Sequence, residues 1–120
     1  MKDRVFRVLL VLTPPLDPNT GGVQMSTWKI ASYLIGRGHE VQVFSFTTQG
    51  HRPLEGCALT VAPNAGNSTS EKNLEALTSC IGRFTPDVVI NQMPYEHEIG
   101  RVLKANKRYL LLGCLRNTLY

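Results

Sequence analysis

The sequence predicts an α/β domain: a parallel sheet of about five strands between two layers of helices. Three observations carry this. Short apolar runs alternate with longer segments whose apolar residues recur at three- and four-residue steps. The first run, from Val5 to Leu12, is almost continuously apolar rather than alternating, as in a strand covered on both faces. Glycine, proline and asparagine mark nearly every junction. Strands that alternate with helices imply a parallel sheet with right-handed crossovers.

In order along the chain, Thr13, Pro14, Pro15, Pro18, Asn19, Gly21 and Gly22 break regular structure after the first strand. A helix is predicted from Val23, with Thr27, Ile30, Ala31, Leu34 and Ile35 on one face. Arg37 and then Gly38 supply its stop. Residues 41–46 form a second strand, 47–56 a polar loop, and 57–62 a third strand. Ser68 to Glu71 fits a capping box, with Ser70 as the alternative cap. Leu74, Leu77, Ile81 and Phe84 then line a second helix, which stops near Pro86. The fourth strand covers residues 87–90. Pro94 suits the first turn of a third helix, whose apolar face is Tyr95, Ile99, Val102 and Leu103. Residues 109–115 form the fifth strand.

The 120 residues make a single domain of ordinary globular composition, 42% hydrophobic and 18% charged, with a mild net charge of +4. No interleaving of basic and aromatic residues suggests nucleic-acid binding. Cys57, Cys80 and Cys114 are scattered without a CxxC, against a metal knuckle and in keeping with a reducing compartment. The run over residues 5–12 is too short for a signal peptide, is interrupted by Arg7, and is followed by prolines rather than a small-residue cleavage site. The expectation is a cytoplasmic protein.

The first loop has a chemical meaning. A helix start leaves backbone N–H groups unpaired, and their dipoles favour an anion. Gly21 and Gly22 let a phosphate approach that backbone, though a glycine pair also serves a tight turn. At the carboxyl ends of the strands, ligand candidates are residues 13–22, Asn91 to Tyr95 and Arg116 to Tyr120.

The loop ending GlyGlyValGln, its helix, and the ArgGlyHisGluVal tail entering the second strand together resemble the N-terminal domain of GT-B glycosyltransferases of the family 4 type. The resemblance is strongest over residues 4–46. It implies a Rossmann-like three-layer domain with strand order 3-2-1-4-5. It implies a parent enzyme that transfers a sugar from a nucleotide-sugar donor to a hydroxyl on a carbohydrate or lipid-linked acceptor, with retention and without a metal or other cofactor. Gly21 and Gly22 would contact the donor. Asp17, Gln24, Asn91, Gln92, Arg116 and Asn117 would line the acceptor-side cleft. The family's paired-glutamate motif and donor-binding domain do not occur in these residues. The expectation is therefore an acceptor-side fragment, inactive alone, with no assignable catalytic residue.

The chain departs from the family at Arg116. Many relatives carry His-Asn where this chain reads LeuArgAsnThr. Arginine stays protonated and cannot act as a base, but it can bind phosphate bidentately. Glu96-His97-Glu98 is not read as a metal site, because consecutive helix residues point about 100° apart. His39 falls at the opposite end of the sheet and is read as structural. Arg101, Lys104, Lys107 and Arg108 form a basic helix end, read as solvated, with peripheral contact at the inner membrane face as the alternative. Two other functions remain open: a half-domain subunit that pairs with a separate donor-binding chain, and a different Rossmann-type nucleotide-binding protein. The missing GxGxxG counts against the second.

Overall fold

A computed structural model describes residues 4–64, 70–105 and 108–113. Its five strands are β1 (Arg7–Leu12), β2 (Glu40–Ser45), β3 (Cys57–Val61), β4 (Val88–Asn91) and β5 (Leu110–Gly113). They form one parallel sheet in the order β3-β2-β1-β4-β5. Between them run α1 (Gly22–Gly36), α2 (Glu71–Phe84) and α3 (His97–Lys104). This is the Rossmann-like order that the sequence predicts.

The continuous apolarity of β1 has a direct structural cause. Leu9 and Val11 point into a core shared with α2 and α3, where they meet Phe44, Leu77, Val89, Ile99 and Leu103. Leu10 and Leu12 point the other way, into a core closed by α1, with Leu16, Ala31, Val41 and Val43. Each face of the strand is dry, so neither parity can carry a polar residue cheaply. The strand begins at Arg7 rather than Val5. Pairing starts where Arg7 faces Glu40, and Val5 is exposed.

The stop of α1 is built from the predicted residues. Gly38 has φ +90, a conformation in which a side chain is strained. Its N–H donates to the Ile35 carbonyl at 3.0 Å, and the His39 N–H donates to Leu34 at 3.1 Å. These two bonds make a Schellman motif. The start of α2 uses Ser70, whose hydroxyl accepts the Asn73 N–H at 3.3 Å. Ser68 lies outside the described residues, and Ser70 fills the cap. Thr85, at φ 47, ends the helix just before Pro86.

Two expectations about α3 need correction. The helix starts at His97, and Pro94 lies before it. Met93 to Glu96 form a turn closed by the Glu96 N–H on the Met93 carbonyl at 3.0 Å. Pro94 takes the second position of that turn, where its fixed φ fits as well as it fits a helix start. Tyr95 is consequently 69% exposed and takes no part in the apolar face, which is Ile99, Leu103 and half-buried Val102.

Candidate functional site

The order reverses between β1 and β4, the point at which sheets of this kind bind ligands beyond their carboxyl edge. The loop after β1 has two halves of different character. Residues 13–16 are clamped to the end of β2 and the β2–β3 connection. The Ser45 hydroxyl donates to the Pro14 carbonyl at 2.8 Å, and the Thr47 hydroxyl donates to the Thr13 carbonyl. The Leu16 N–H donates to His51 Nδ1 at 3.0 Å, and the Arg52 N–H donates to the Leu16 carbonyl at 2.7 Å. The Leu16 side chain is buried in the α1-side core.

The second half, residues 17–22, projects to the surface. Asp17 shapes it from within: its carboxylate accepts the Asn19 N–H at 3.0 Å, and its carbonyl accepts the Thr20 hydroxyl at 2.9 Å. Gly21 and Gly22 follow, both exposed. Gly21 has φ 165 and ψ 177, an extended conformation open to any residue. Neither glycine has the left-handed φ that would require glycine in a tight turn. What the pair provides is space. Nothing lies within 4 Å of a Cβ placed on Gly22, and a Cβ on Gly21 would meet only the flexible end of Gln24, whose Oε1 is 2.7 Å away.

Gly21 caps α1 with its backbone alone. No side chain bonds the cap, and no acidic residue sits in the first turn. The positive end of a fifteen-residue helix thus lies at the carboxyl edge of the sheet with no acid in its own first turn.

The fourth strand supports this helix from below. Asn91 is buried, and its Oδ1 accepts the Met93 N–H at 2.9 Å. Gln92 is 1% exposed, and its Nε2 donates to the Thr27 hydroxyl at 2.9 Å. Thr27 donates in turn to the Val23 carbonyl at 2.8 Å. The end of β4 is therefore hydrogen-bonded into the first turns of α1. The structure brings Asp17, Gly21, Gly22 and Gln24 together on one loop and helix start. It places Asn91 and Gln92 beneath them, turned inward. Arg116 and Asn117 lie outside the described residues.

Ser45, Thr47 and His51 are the site residues that the sequence did not single out. Two polar residues closing a buried strand were the available signal for Ser45 and Thr47; His51 in a polar loop gave none. His39 sits at the amino edge, where its Nδ1 accepts the Phe6 N–H at 3.0 Å.

Among the described residues, the Cys57 and Cys80 thiols are held in the protonated form. Burial pushes Cys57 up to about 11 and also raises Cys80. Among the described residues no three His, Cys, Asp or Glu side chains are grouped to hold a metal ion, and no helix is long and apolar enough to cross a membrane.

No family model matches the sequence, and no curated protein matches it. Among solved structures, the chain is similar to a sucrose-phosphate synthase from Thermosynechococcus elongatus, with a TM-score of 0.68 at 13% identity over 89% of this chain and 32% of that one. It is also similar to a glycinamide-RNase-transformylase T from Mycobacterium tuberculosis, with a TM-score of 0.52 at 19% identity over 88% of this chain and 28% of that one. The chain spans less than a third of either protein. At such identities the likeness establishes the fold: a Rossmann-like α/β domain, GT-B-like in its similarity to the synthase.

Proposed function

We propose that this chain is the N-terminal, acceptor-side domain of a GT-B glycosyltransferase of the family 4 type. The parent enzyme moves a sugar, with retention, from a nucleotide-sugar donor to a hydroxyl of a carbohydrate or lipid-linked acceptor. The likeness to sucrose-phosphate synthase supports the fold part of this reading. The observation that carries it is the open start of α1: an uncapped helix end, flanked by two exposed glycines, at the point where the strand order reverses.

In this role the N–H groups of the first turn meet the diphosphate or the sugar of the donor. They oppose negative charge as it develops on the departing diphosphate, and they need no reorganisation to do so. Asp17 is the carboxylate of this loop, and its Oδ1 accepts the Asn19 N–H, a bond that shapes the loop. Catalysis then rests on positioning and charge stabilisation. The nucleotide is held by a second domain that faces this one.

The experiment is a titration of ¹⁵N-labelled chain with pyrophosphate and with nucleotide sugars. The expected result is a set of shifts at Gly21, Gly22, Val23 and Gln24, with weak affinity, on the order of millimolar. Shifts confined to the amino edge around His39, or tight binding of a nucleotide sugar by these residues alone, would overturn the reading.

A further inference from the structure

His51 lies in the connection between β2 and β3. Its ring is half-buried, and both nitrogens are engaged. Nδ1 is 3.0 Å from the Leu16 amide nitrogen, and Nε2 is 2.5 Å from the Thr47 carbonyl oxygen. A backbone N–H can only donate and a carbonyl can only accept. The first bond therefore needs a bare Nδ1, and the second needs a proton on Nε2. One neutral tautomer satisfies both bonds; the other satisfies neither.

We propose that His51 is a positioning residue for the Gly21–Gly22 loop and acts as its Nε2–H tautomer. It fixes the Leu16 end of the loop. Gln92, through Thr27, fixes the α1 end. Residues 17–21 then span a set gap between two anchors, and the first-turn N–H groups of α1 are held in place before any ligand arrives. Such preorganisation lowers the ordering cost of binding.

Both partners of the ring are backbone groups. The nearest charges along the chain are Asp17, beside Leu16, and Arg52 and Glu55 on the histidine's own loop; Asp17 is bonded to Asn19. The tether stands on its own geometry. Its effect on anion capture rests on the glycosyltransferase reading.

The test uses the full chain and two substitutions. In His51→Asn the amide oxygen falls near the position of Nδ1, so the bond to Leu16 is retained. In His51→Gln the amide nitrogen falls near Nε2, so the bond to Thr47 is retained and that to Leu16 is lost. The ring ¹⁵N shifts of the unsubstituted protein should report a protonated Nε2 and a bare Nδ1. Hydrogen exchange at the Leu16 amide should accelerate roughly tenfold in the Gln variant and less than about twofold in the Asn variant. Pyrophosphate affinity should fall severalfold in the Gln variant and hold in the Asn variant. A protonated Nδ1, or equal Leu16 exchange in the two variants, overturns the proposal. If the tautomer and the exchange pattern hold while pyrophosphate moves no α1 amide, the tether is supported and the glycosyltransferase reading fails.

Discussion

Two helices of similar length leave the same sheet and begin in opposite ways. At the start of α2, the Ser70 hydroxyl accepts the Asn73 N–H, and Glu71 places a negative charge in the first turn. Asn73 is itself buried and bridges to Asn64, accepting its N–H at 2.8 Å and donating to its carbonyl at 3.0 Å. At the start of α1 no side chain caps the helix, no acid lies in the first turn, and glycine keeps the approach open. The electrostatic demand of a helix start is met inside the protein at α2 and left unmet at α1. Helix α3 also lacks a side-chain cap but carries Glu98 in its first turn, so among the described helices α1 alone has neither a capping side chain nor a first-turn acid.

The comparison can be broken first at its stable end. Asn73→Ala leaves both backbone groups of Asn64 without their buried partner and should destabilise the fold by about 2 kcal/mol in urea melts. A loss near zero would mean that α2 is not held as described. Ser70→Ala removes the hydroxyl cap together with the bond that the hydroxyl accepts from Asn64 Nδ2 at 3.3 Å, and should cost about 1 kcal/mol by the same measurement. At the open end the sign should reverse. Gly22→Asp has room for its side chain and adds an acid to the first turn, so stability should rise by about 0.5 kcal/mol while pyrophosphate shifts at α1 disappear. A stable variant that still binds would place the anion elsewhere.

The smallest effect concerns α3. The Arg101 guanidinium, through a hydrogen bond and then through its charge, holds the exposed Glu98 carboxyl below its ordinary value. A lowered carboxylate contributes stability above its unfolded value and loses it as pH falls through the folded one. Arg101→Ala should therefore be slightly less stable than the parent protein near neutral pH and equal to it in strong acid. A variant that is equally less stable at both ends of the titration would point to lost packing instead.

Much of the fold was legible because its signals are local. Five consecutive aliphatic residues, Val8 to Leu12, announce a strand buried on both faces, and Arg37-Gly38 announces a helix stop. The start of α3 was misread because proline suits two settings, a helix's first turn and the second position of a β-turn, and the surrounding residues do not choose between them. The glycine pair lies at the junction the sequence indicates, but Gly21 is extended and Gly22 already belongs to α1, so the pair makes no tight turn. Its use lies in the space it leaves. The clamp on the first loop was illegible for a different reason. Its bonds join Pro14 to Ser45, Thr13 to Thr47 and Leu16 to His51, pairs more than thirty residues apart. Only the sheet brings them together. Gln92 is similar: its partner Thr27 is 65 residues away, and one sequence cannot say that a polar residue at a strand end turns inward.

The alternation of β1 between two hydrocarbon cores has a consequence for how this region tolerates change. Deleting one residue among Leu9, Leu10 and Val11 would turn the strand over, yet aliphatic groups would still meet aliphatic groups on both sides. Chemistry would barely register the lesion; reach would. Thr13 and Pro14 would retreat about 3.3 Å from the hydroxyls that grip them, and the glycines would be dragged back with them. Such a strand forgives spelling and punishes miscounting.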